Sequence, residues 1–374
     1  MAGIYIHIPY CSKACHYCDF HFSLNRETKN ALINAILLEI DSRNDYLSTR
    51  EIKTIYFGGG TPSLLESNEL DLIIKKIHQN FSVHSDCEIT LEANPDDLTP
   101  QKTKELSFIG INRLSIGIQS FNDKVLNFLN RSHNSDKAKS ALKNSLDAGI
   151  ENLSLDLIYG IPGQDQSVWE ADIDTALSFS SAHISSYCLT IEKGTYFGNL
   201  LRKGRMKLID DESALLHFKI LIDRLTNSGY EHYEISNFAQ PGFISQHNSS
   251  YWLGEEYLGL GPSAHSFNKY SRQYNIDSNV RYIKGITEGH PEITFEQLSE
   301  QDKINEYFLT RLRTKWGCSL QDLKHFKSFS VKRYEQVIEK NLALDLIKIT
   351  DETIFLTHKG KFLADRITED FFII

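Results

Sequence analysis

Short apolar runs that alternate with helical patterns constrain the fold of this chain more than any other sequence feature. The runs have the length and β-branched content of buried strands, and the segments between them carry apolar residues every three or four positions. The runs cover residues 3–8, 54–58, 88–93, 113–119, 152–160 and 183–191, and two clear helical patterns cover 27–44 and 68–81. Successive strand–helix units predict a parallel sheet, because each crossover helix returns the chain to the same end of the sheet.

Six such units predict an α/β fold built as a partial (β/α)6 barrel, with an open doubly wound sheet as the structural alternative. Both architectures place their functional residues at the carboxyl ends of the strands, where the following loops meet. Glycine and polar residues stand at those ends, namely residues 58–61 and 92–94, Gln119 and Asp156.

The later part of the chain predicts a different kind of unit. From about residue 295, helical patterns precede two β-like stretches around a polar turn at 346–357, and a last helix follows, which is a winged-helix-like α+β order. We expect three regions: a barrel core at 1–225, an aromatic and histidine-rich connecting region at 226–290, and a C-terminal domain at 291–374. Acidic and basic residues are equally numerous beyond residue 295, and the net charge of the chain is -9, so nucleic acid is not an expected partner.

Composition indicates the cellular compartment, and the compartment indicates whether the cysteines bind metal or form disulfides. With 41% hydrophobic residues, no signal-peptide pattern and no apolar run as long as a membrane span, we expect a globular cytoplasmic protein. Cytosolic thiols are mostly kept reduced, and clustered cysteines there more often bind metal than form disulfides.

Three cysteines directly follow the first predicted strand, in the spacing C-x3-C-x2-C. Cys11, Cys15 and Cys18 provide one thiolate fewer than the four that complete an ordinary [4Fe–4S] cluster, so one iron would stay open. A tetrahedral zinc site completed by His16 or His21 is an alternative, and so are simply buried cysteines. The spacing alone leaves all three open.

The cysteine loop resembles the signature of the radical SAM superfamily, which has an aromatic residue immediately before the third cysteine, here Tyr17. The resemblance implies a [4Fe–4S] cluster held by Cys11, Cys15 and Cys18, with S-adenosylmethionine (SAM) on the open iron. It also places Tyr5 and Tyr17 among the cofactor-binding residues.

Further matches follow the other strands in order. In "YFGGGTPS", the resemblance implies that Gly59, Gly60 and Thr61 contact the methionine moiety of SAM, and in "LEANPDD" that Glu92 accepts hydrogen bonds from the ribose. The remaining matches to positions of the SAM site are Gln119, Arg131 and Asp156. Each alone is equally explained as a turn or a satisfied polar group at a strand end; their joint order carries the resemblance.

Within the superfamily, the chain is similar to the oxygen-independent coproporphyrinogen III dehydrogenase (HemN) group, which includes HemW-type haem chaperones. Three features favour the chaperone branch. Phe20 stands where the dehydrogenase has a further cysteine, only four residues precede Tyr5 where the dehydrogenase has a long extension, and "QHNSSYW" resembles the chaperone motif H-N-x-x-Y-W. The resemblance implies His247 as a haem ligand, with Tyr251 and Trp252 as packing partners.

These features predict a haem-binding and haem-delivery protein with a SAM-liganded cluster, whose partners are haem and haem-acceptor proteins. A homodimer and transient contact with membrane proteins, without a membrane span, are further expectations. The alternative is a coproporphyrinogen III dehydrogenase, so enzymatic activity stays open. Cys87, Cys188 and Cys318 are not expected to bind the cluster, since packing beside or within strands would account for the first two.

Overall fold

A row of six parallel strands forms the centre of the computed structural model, which describes residues 2–372. The strands lie side by side in chain order. They are β1 (Ala2–Ile8), β2 (Glu51–Gly59), β3 (Ser82–Ala93), β4 (Arg113–Gln119), β5 (Asn152–Tyr159) and β6 (His183–Cys188). The predicted series of strand–helix units is therefore confirmed.

Helices connect these strands and cover the sheet. They are α1 (Lys29–Ser42), α2 (Ser67–Asn80), α3 (Pro100–Phe108), α4 (Asp123–Phe128), α5 (Ser135–Asp147), α6 (Gln166–Ser178), α7 (Tyr196–Arg202) and α8 (Asp211–Asn227). In α2 the periodic residues Leu70, Ile73, Ile74 and Ile77 are all buried. Its sequence thus forms a helix because one apolar stripe packs on the sheet.

The segment that follows adds strands to both edges of the same sheet. Its elements are β7 (Glu231–Glu234), β8 (Asn237–Ala239), α9 (Gln246–Trp252), β9 (Tyr257–Leu260), β10 (His265–Phe267), β11 (Ser271–Asn275), α10 (Asn279–Thr287) and β12 (Ile293–Gln297). Strand β9 pairs in parallel with β1, and β8 pairs antiparallel with β6. The result is a twelve-stranded sheet with β12 and β7 as its end strands. The strands within the expected connecting region thus belong to this sheet, while the boundaries of the region stay a prediction.

A second, smaller sheet lies in the C-terminal part. The elements there are α11 (Glu300–Arg311), β13 (Cys318–Ser319), α12 (Leu320–Leu323), α13 (Val331–Ala343), β14 (Ile347–Thr350), β15 (Thr353–Leu356), α14 (His358–Lys361) and α15 (Ala364–Asp370). The strands pair antiparallel in the order β13-β15-β14, and Phe308, Ile354 and Phe371 belong to a separate hydrophobic cluster. Helices, hairpin and closing helices follow the predicted order.

The C-terminal part packs against the edge of the large sheet. Arg313 Nε lies 2.6 Å from Glu234 Oε1, and the backbone N–H of Lys315 donates to the carbonyl of Tyr233. Helix α11 also contacts α9. Among residues 2–372, no helix has the length and apolar character to cross a bilayer.

Candidate cluster and cofactor site

The three-cysteine loop leaves β1 and is closed by backbone hydrogen bonds. The N–H of Cys11 donates to the carbonyl of Ser23 at 3.0 Å, and the N–H of Ser23 donates to the carbonyl of Pro9 at 2.6 Å. Cys11, Cys15 and Cys18 are half-buried, and all three line one cavity of about 750 Å³. The loop therefore presents its thiols to a common space large enough for a ligand.

The thiols need a positive charge to ionise together. Burial raises the pKa of Cys11, and burial together with the neighbouring Cys15 and Cys11 raises the pKa of Cys18 to about 11, against an opposing backbone hydrogen bond from Phe20. Arg131 Nη1 lies 3.2 Å from Cys15 Sγ, and the hydroxyl of Thr61 lies 3.5 Å from Cys11 Sγ. Bound iron would supply the remaining positive charge, because metal ligation deprotonates a thiol.

The geometry of the loop disfavours a single zinc ion. In the part of the chain that the structure describes, no three or more His, Cys, Asp or Glu side chains converge closely enough to hold one metal ion. His16 Nδ1 faces the carbonyl of Phe128 at 3.0 Å, and His21 Nε2 faces Asn279 Oδ1 at 2.8 Å. Zinc needs four donors around one point, whereas a [4Fe–4S] cluster binds its thiolates on separate irons. The residues present therefore fit a cluster.

The loop after β2 approaches the cysteine loop closely. The N–H of Gly60 donates to the carbonyl of Ile8 at 2.9 Å, and a Cβ at residue 60 would lie 2.8 Å from the carbonyl oxygen of Tyr10. Gly59 has a φ of +110°, which disfavours any side chain. Gly59, Gly60 and Thr61 line the cavity together with the cysteines.

Two half-buried carboxyl groups, Glu92 near the end of β3 and Asp156 within β5, face the same space. Glu92 Oε1 accepts from the hydroxyl of Tyr56 at 2.8 Å, and Oε2 accepts from the N–H of Gly59 at 3.2 Å. Burial raises the pKa of Glu92 to about 7 and that of Asp156 to about 6, although the hydroxyl of Ser115 donates to Asp156 at 3.2 Å. Both groups line the cavity. A bound ligand with hydroxyl donors would favour their ionised forms.

Arg131 joins the cysteine loop to the ends of two strands. Besides its contact with Cys15, its Nη2 donates to Asn94 Oδ1 and to the carbonyl of Gly117, each at 2.7 Å. Gln119, at the end of β4, has a left-handed φ of 67°, a backbone strain that is typical of ligand sites. Tyr17, Gln119 and Arg131 also line the cavity.

Eleven of the predicted site residues thus surround one cavity. Two residues that the sequence analysis did not single out contact its carboxyl groups: Ser115, which lines the cavity, and Tyr56, which lies outside the lining. Ser115 hydrogen-bonds Asp156 and Tyr56 hydrogen-bonds Glu92. Ser115 lies two residues before Gly117 on β4, and Tyr56 lies two residues before Gly58 on β2, so each pair lies on the same face of the sheet. The period of two along a strand is the signal that could have found both.

The environment of Cys188 is not the packed strand interior that we expected. Cys87 and Cys318 are buried, but Cys188 is exposed at the carboxyl end of β6 and lines the cofactor cavity. The side chain points into the cavity because β6 ends there, beside the end of β5.

Tyr5 and His247 lie outside the lining of the cofactor cavity. Tyr5 instead lines a second cavity of about 960 Å³. His247 is buried, with Nδ1 2.8 Å from Thr54 Oγ1 and Nε2 2.8 Å from the hydroxyl of Tyr251. Burial, and then the charge of Arg113, lowers the pKa of His247 to about 3. Iron ligation by His247 would require one of its two hydrogen bonds to break, and this role stays a prediction.

The partial parallel barrel, the three-cysteine loop after its first strand and the cavity at its strand ends define a radical SAM protein. Residues 5–176 match the Radical SAM superfamily, and residues 298–363 match the HemN C-terminal domain. Radical SAM proteins use SAM and a [4Fe–4S] cluster, and the cysteine loop provides the three thiols for it.

Comparison with known proteins shows to which family of radical SAM proteins the chain belongs. The chain is 35% identical to heme chaperone HemW of Bacillus subtilis (strain 168) over 371 residues, covering 98% of each chain. It is 35% identical to heme chaperone HemW of Escherichia coli (strain K12) over 317 residues, covering 83% of this chain and 82% of the relative. The chain belongs to the HemW family. The structure of coproporphyrinogen III oxidase (HemN) from Escherichia coli superposes with a TM-score of 0.84 at 22% identity, covering 99% of this chain and 89% of that one, which shows a shared fold.

Proposed function

We propose that this protein is a haem chaperone, which binds haem and transfers it to acceptor proteins, and that it carries a SAM-liganded [4Fe–4S] cluster. The observation that carries the proposal is the family membership, which extends over almost the whole chain. The six cysteines all lie in the described part of the chain and form no disulfide there, which fits a reducing cytoplasm, and we place the protein in that compartment. A homodimer and transient contacts with membrane-bound acceptors belong to the same proposal.

Phe20 supports the chaperone over the dehydrogenase. Its side chain is 72% exposed and lines both the cofactor cavity and the second cavity. A phenylalanine there offers an apolar surface between the two cavities and no further thiol.

In radical SAM proteins, an electron from the cluster cleaves bound SAM to give an adenosyl radical. In this chain Cys11, Cys15 and Cys18 would hold the cluster.

Haemin titration and an anaerobic turnover assay test the proposed function together. We expect the full chain to bind about one haemin per chain, with a Soret band distinct from that of free haemin. With SAM, a reductant and coproporphyrinogen III, we expect no formation of protoporphyrinogen. Protoporphyrinogen in stoichiometric amounts would instead establish the dehydrogenase, and the lack of saturable haemin binding would refute the chaperone.

Glu92 gives a pH-dependent prediction for nucleoside binding. Its pKa of about 7 is raised by burial, with Asp156 adding to the rise and Tyr56 and Gly59 opposing it. Because the pKa is raised from 4.5, the free protein loses stability as the pH rises from about 4.5 to about 7, and the carboxylate is mostly ionised only above about 7. If a ribose hydroxyl donates to the carboxylate, affinity is about tenfold higher at about pH 8 than at about pH 6.

The measurement is calorimetric titration with 5′-methylthioadenosine, which keeps the ribose but lacks the titrating amine of SAM. In Glu92→Gln the pH dependence should disappear, whereas Glu151→Gln, which changes an exposed acid, should retain it. An equal pH dependence in Glu92→Gln and the wild type would remove Glu92 from the ribose site.

A further inference from the structure

Residues 193–207, which include helix α7, form a basic segment on the surface of an acidic protein. The net charge of the chain is -9, yet this segment contains no Asp or Glu; the nearest acids along the chain are Glu192 and Asp210. Its cations are all exposed, and we call them the basic patch: Lys193, Arg202, Lys203, Arg205 and Lys207. A local reversal in the sign of the charge attracts and orients partners of the opposite sign.

No carboxylate neutralises the basic patch. Within residues 2–372, none of its five side chains forms an ion pair. Arg202 Nη2 donates to the neutral amide oxygen of Asn199 at 2.7 Å, whereas Lys137 on α5 is paired with Asp96 at 2.7 Å. The patch therefore keeps its full charge for a partner.

The patch lies beside the cysteine loop, because α7 packs on that loop. The backbone N–H of Phe197 donates to the carbonyl of His16 at 3.0 Å, and the rings of Tyr196 and His16 stack with centroids 4.0 Å apart. His16 follows Cys15 directly and precedes Cys18 by two residues. A protein bound to α7 would thus lie next to the loop that carries the three thiols.

Exposed apolar side chains accompany the cations of the patch. Tyr196 is 53% exposed and Leu208 is 55% exposed. A small apolar contact surrounded by charge is typical of transient interfaces, and electron-transfer complexes are among the smallest of them. The surface therefore favours brief docking of a small acidic protein.

The chemistry of the adjoining loop indicates what such a protein carries. A cluster that gives one electron to SAM must receive that electron from outside, since the chain itself provides no donor. Because the rate of electron transfer falls steeply with distance, a donor protein has to dock close to the cysteine loop. Helix α7 offers that position together with an attractive charge.

We infer that the basic patch and Tyr196 form the docking surface for an acidic protein that carries a low-potential one-electron donor, a reduced flavin or an iron–sulfur group. The inference rests on the cluster of the proposed function. In the complex the donor loses one electron and the cluster gains it, and no covalent bond forms or breaks. Electrostatic attraction between the two proteins sets the rate of docking.

The test uses an acidic flavodoxin as the donor and the full chain with its cluster reconstituted. The patch variant combines Arg202→Gln, Lys203→Gln and Arg205→Gln. The control variant loses the same charge from exposed positions on α3 and α5, and combines Lys104→Gln, Lys139→Gln and Lys143→Gln. At low ionic strength, we expect reduced flavodoxin to reduce the cluster of the patch variant about tenfold more slowly than that of the wild type. The control variant should match the wild type.

Two further measurements separate docking from damage to the cluster. Photoreduced 5-deazariboflavin, a small donor without net charge, should give the electron paramagnetic resonance signal of the reduced cluster equally in the wild type and the patch variant. In surface plasmon resonance, oxidised flavodoxin should bind the patch variant about tenfold more weakly than the wild type. High salt should remove most of this difference, because it screens exposed charges.

The outcomes separate this inference from the proposed function. If flavodoxin binds and reduces the patch variant like the wild type, or if the control variant loses as much as the patch variant, the inference is overturned and the proposed function stands. It is also overturned if the patch variant loses binding only to phosphatidylglycerol vesicles, since the patch would then be a membrane surface. A wild type that incorporates no cluster would refute that part of the proposed function, and the inference with it.

Discussion

Serine at Cys11, Cys15 or Cys18 is expected to abolish incorporation of the iron–sulfur cluster. Anaerobic reconstitution of the wild type should yield about four irons and four sulfides per chain, and each variant close to none. The reason is that a serine hydroxyl is neither ionised near neutral pH nor a soft donor, so it replaces a thiolate poorly as an iron ligand. Iron analysis and the visible absorbance of oxygen-free protein measure the effect.

The other three cysteines serve as matched controls. Cys87→Ser, Cys188→Ser and Cys318→Ser should keep the full iron content. Cys188 is the most demanding control, because its thiol is exposed in the same cavity as the three cluster ligands. A fall in iron content in Cys188→Ser would show that the cluster has a fourth cysteine ligand and would contradict an open iron site for SAM.

Glu88→Gln is expected to destabilise the fold by about 3 kcal/mol, because it leaves the buried Arg113 without its counter-charge. The two carboxylate oxygens of Glu88 accept from the backbone N–H groups of Gln246 and His247 at the start of α9. Glu88 Oε2 also lies 4.0 Å from Arg113 Nε, and the nitrogens of that guanidinium have no hydrogen-bond partner in the described chain. One carboxylate therefore fixes α9 and balances a buried cation.

Urea unfolding of the variant, with Glu151→Gln as the exposed control, measures this loss. The control should stay within about 0.5 kcal/mol of the wild type. The double variant Glu88→Gln/Arg113→Met should be more stable than the sum of the single changes predicts, because it removes the unpaired charge as well. Additive effects would show that Glu88 and Arg113 do not interact.

Much of the cofactor site follows from the sequence because its parts are local. Cys11, Cys15 and Cys18 lie on one short loop. Residues 59–61, Glu92 and Gln119 lie at the ends of strands and Asp156 lies within β5, and the apolar pattern of each strand predicts it. In a parallel sheet all strand ends on one side meet, so order along the chain becomes proximity in space. Tyr56 and Ser115 went unnoticed because their roles depend on which carboxylate lies across the neighbouring strand.

The second cavity, in contrast, could not be predicted from the sequence. Its walls come from β1, α9, β10 and α11, and the pairing of Gly3 with Tyr257 that places β9 beside β1 joins distant parts of the chain. No periodicity within residues 226–290 indicates that pairing. For the same reason, sequence reasoning could identify His247 within its motif, but could not find that Thr54 and Tyr251 occupy both of its ring nitrogens.

The sequence by itself determined the series of strand–helix units, the helical and hairpin order of the C-terminal part, and the three-thiol loop with its strand-end partners. These are properties of neighbouring residues, namely hydrophobic periodicity and spacing within loops. The tertiary structure alone decided how β7 to β12 extend the sheet, that Cys188 faces the cofactor cavity, and that Thr54 and Tyr251 hold both ring nitrogens of His247. Those properties depend on contacts between segments far apart in the chain, which no local pattern specifies.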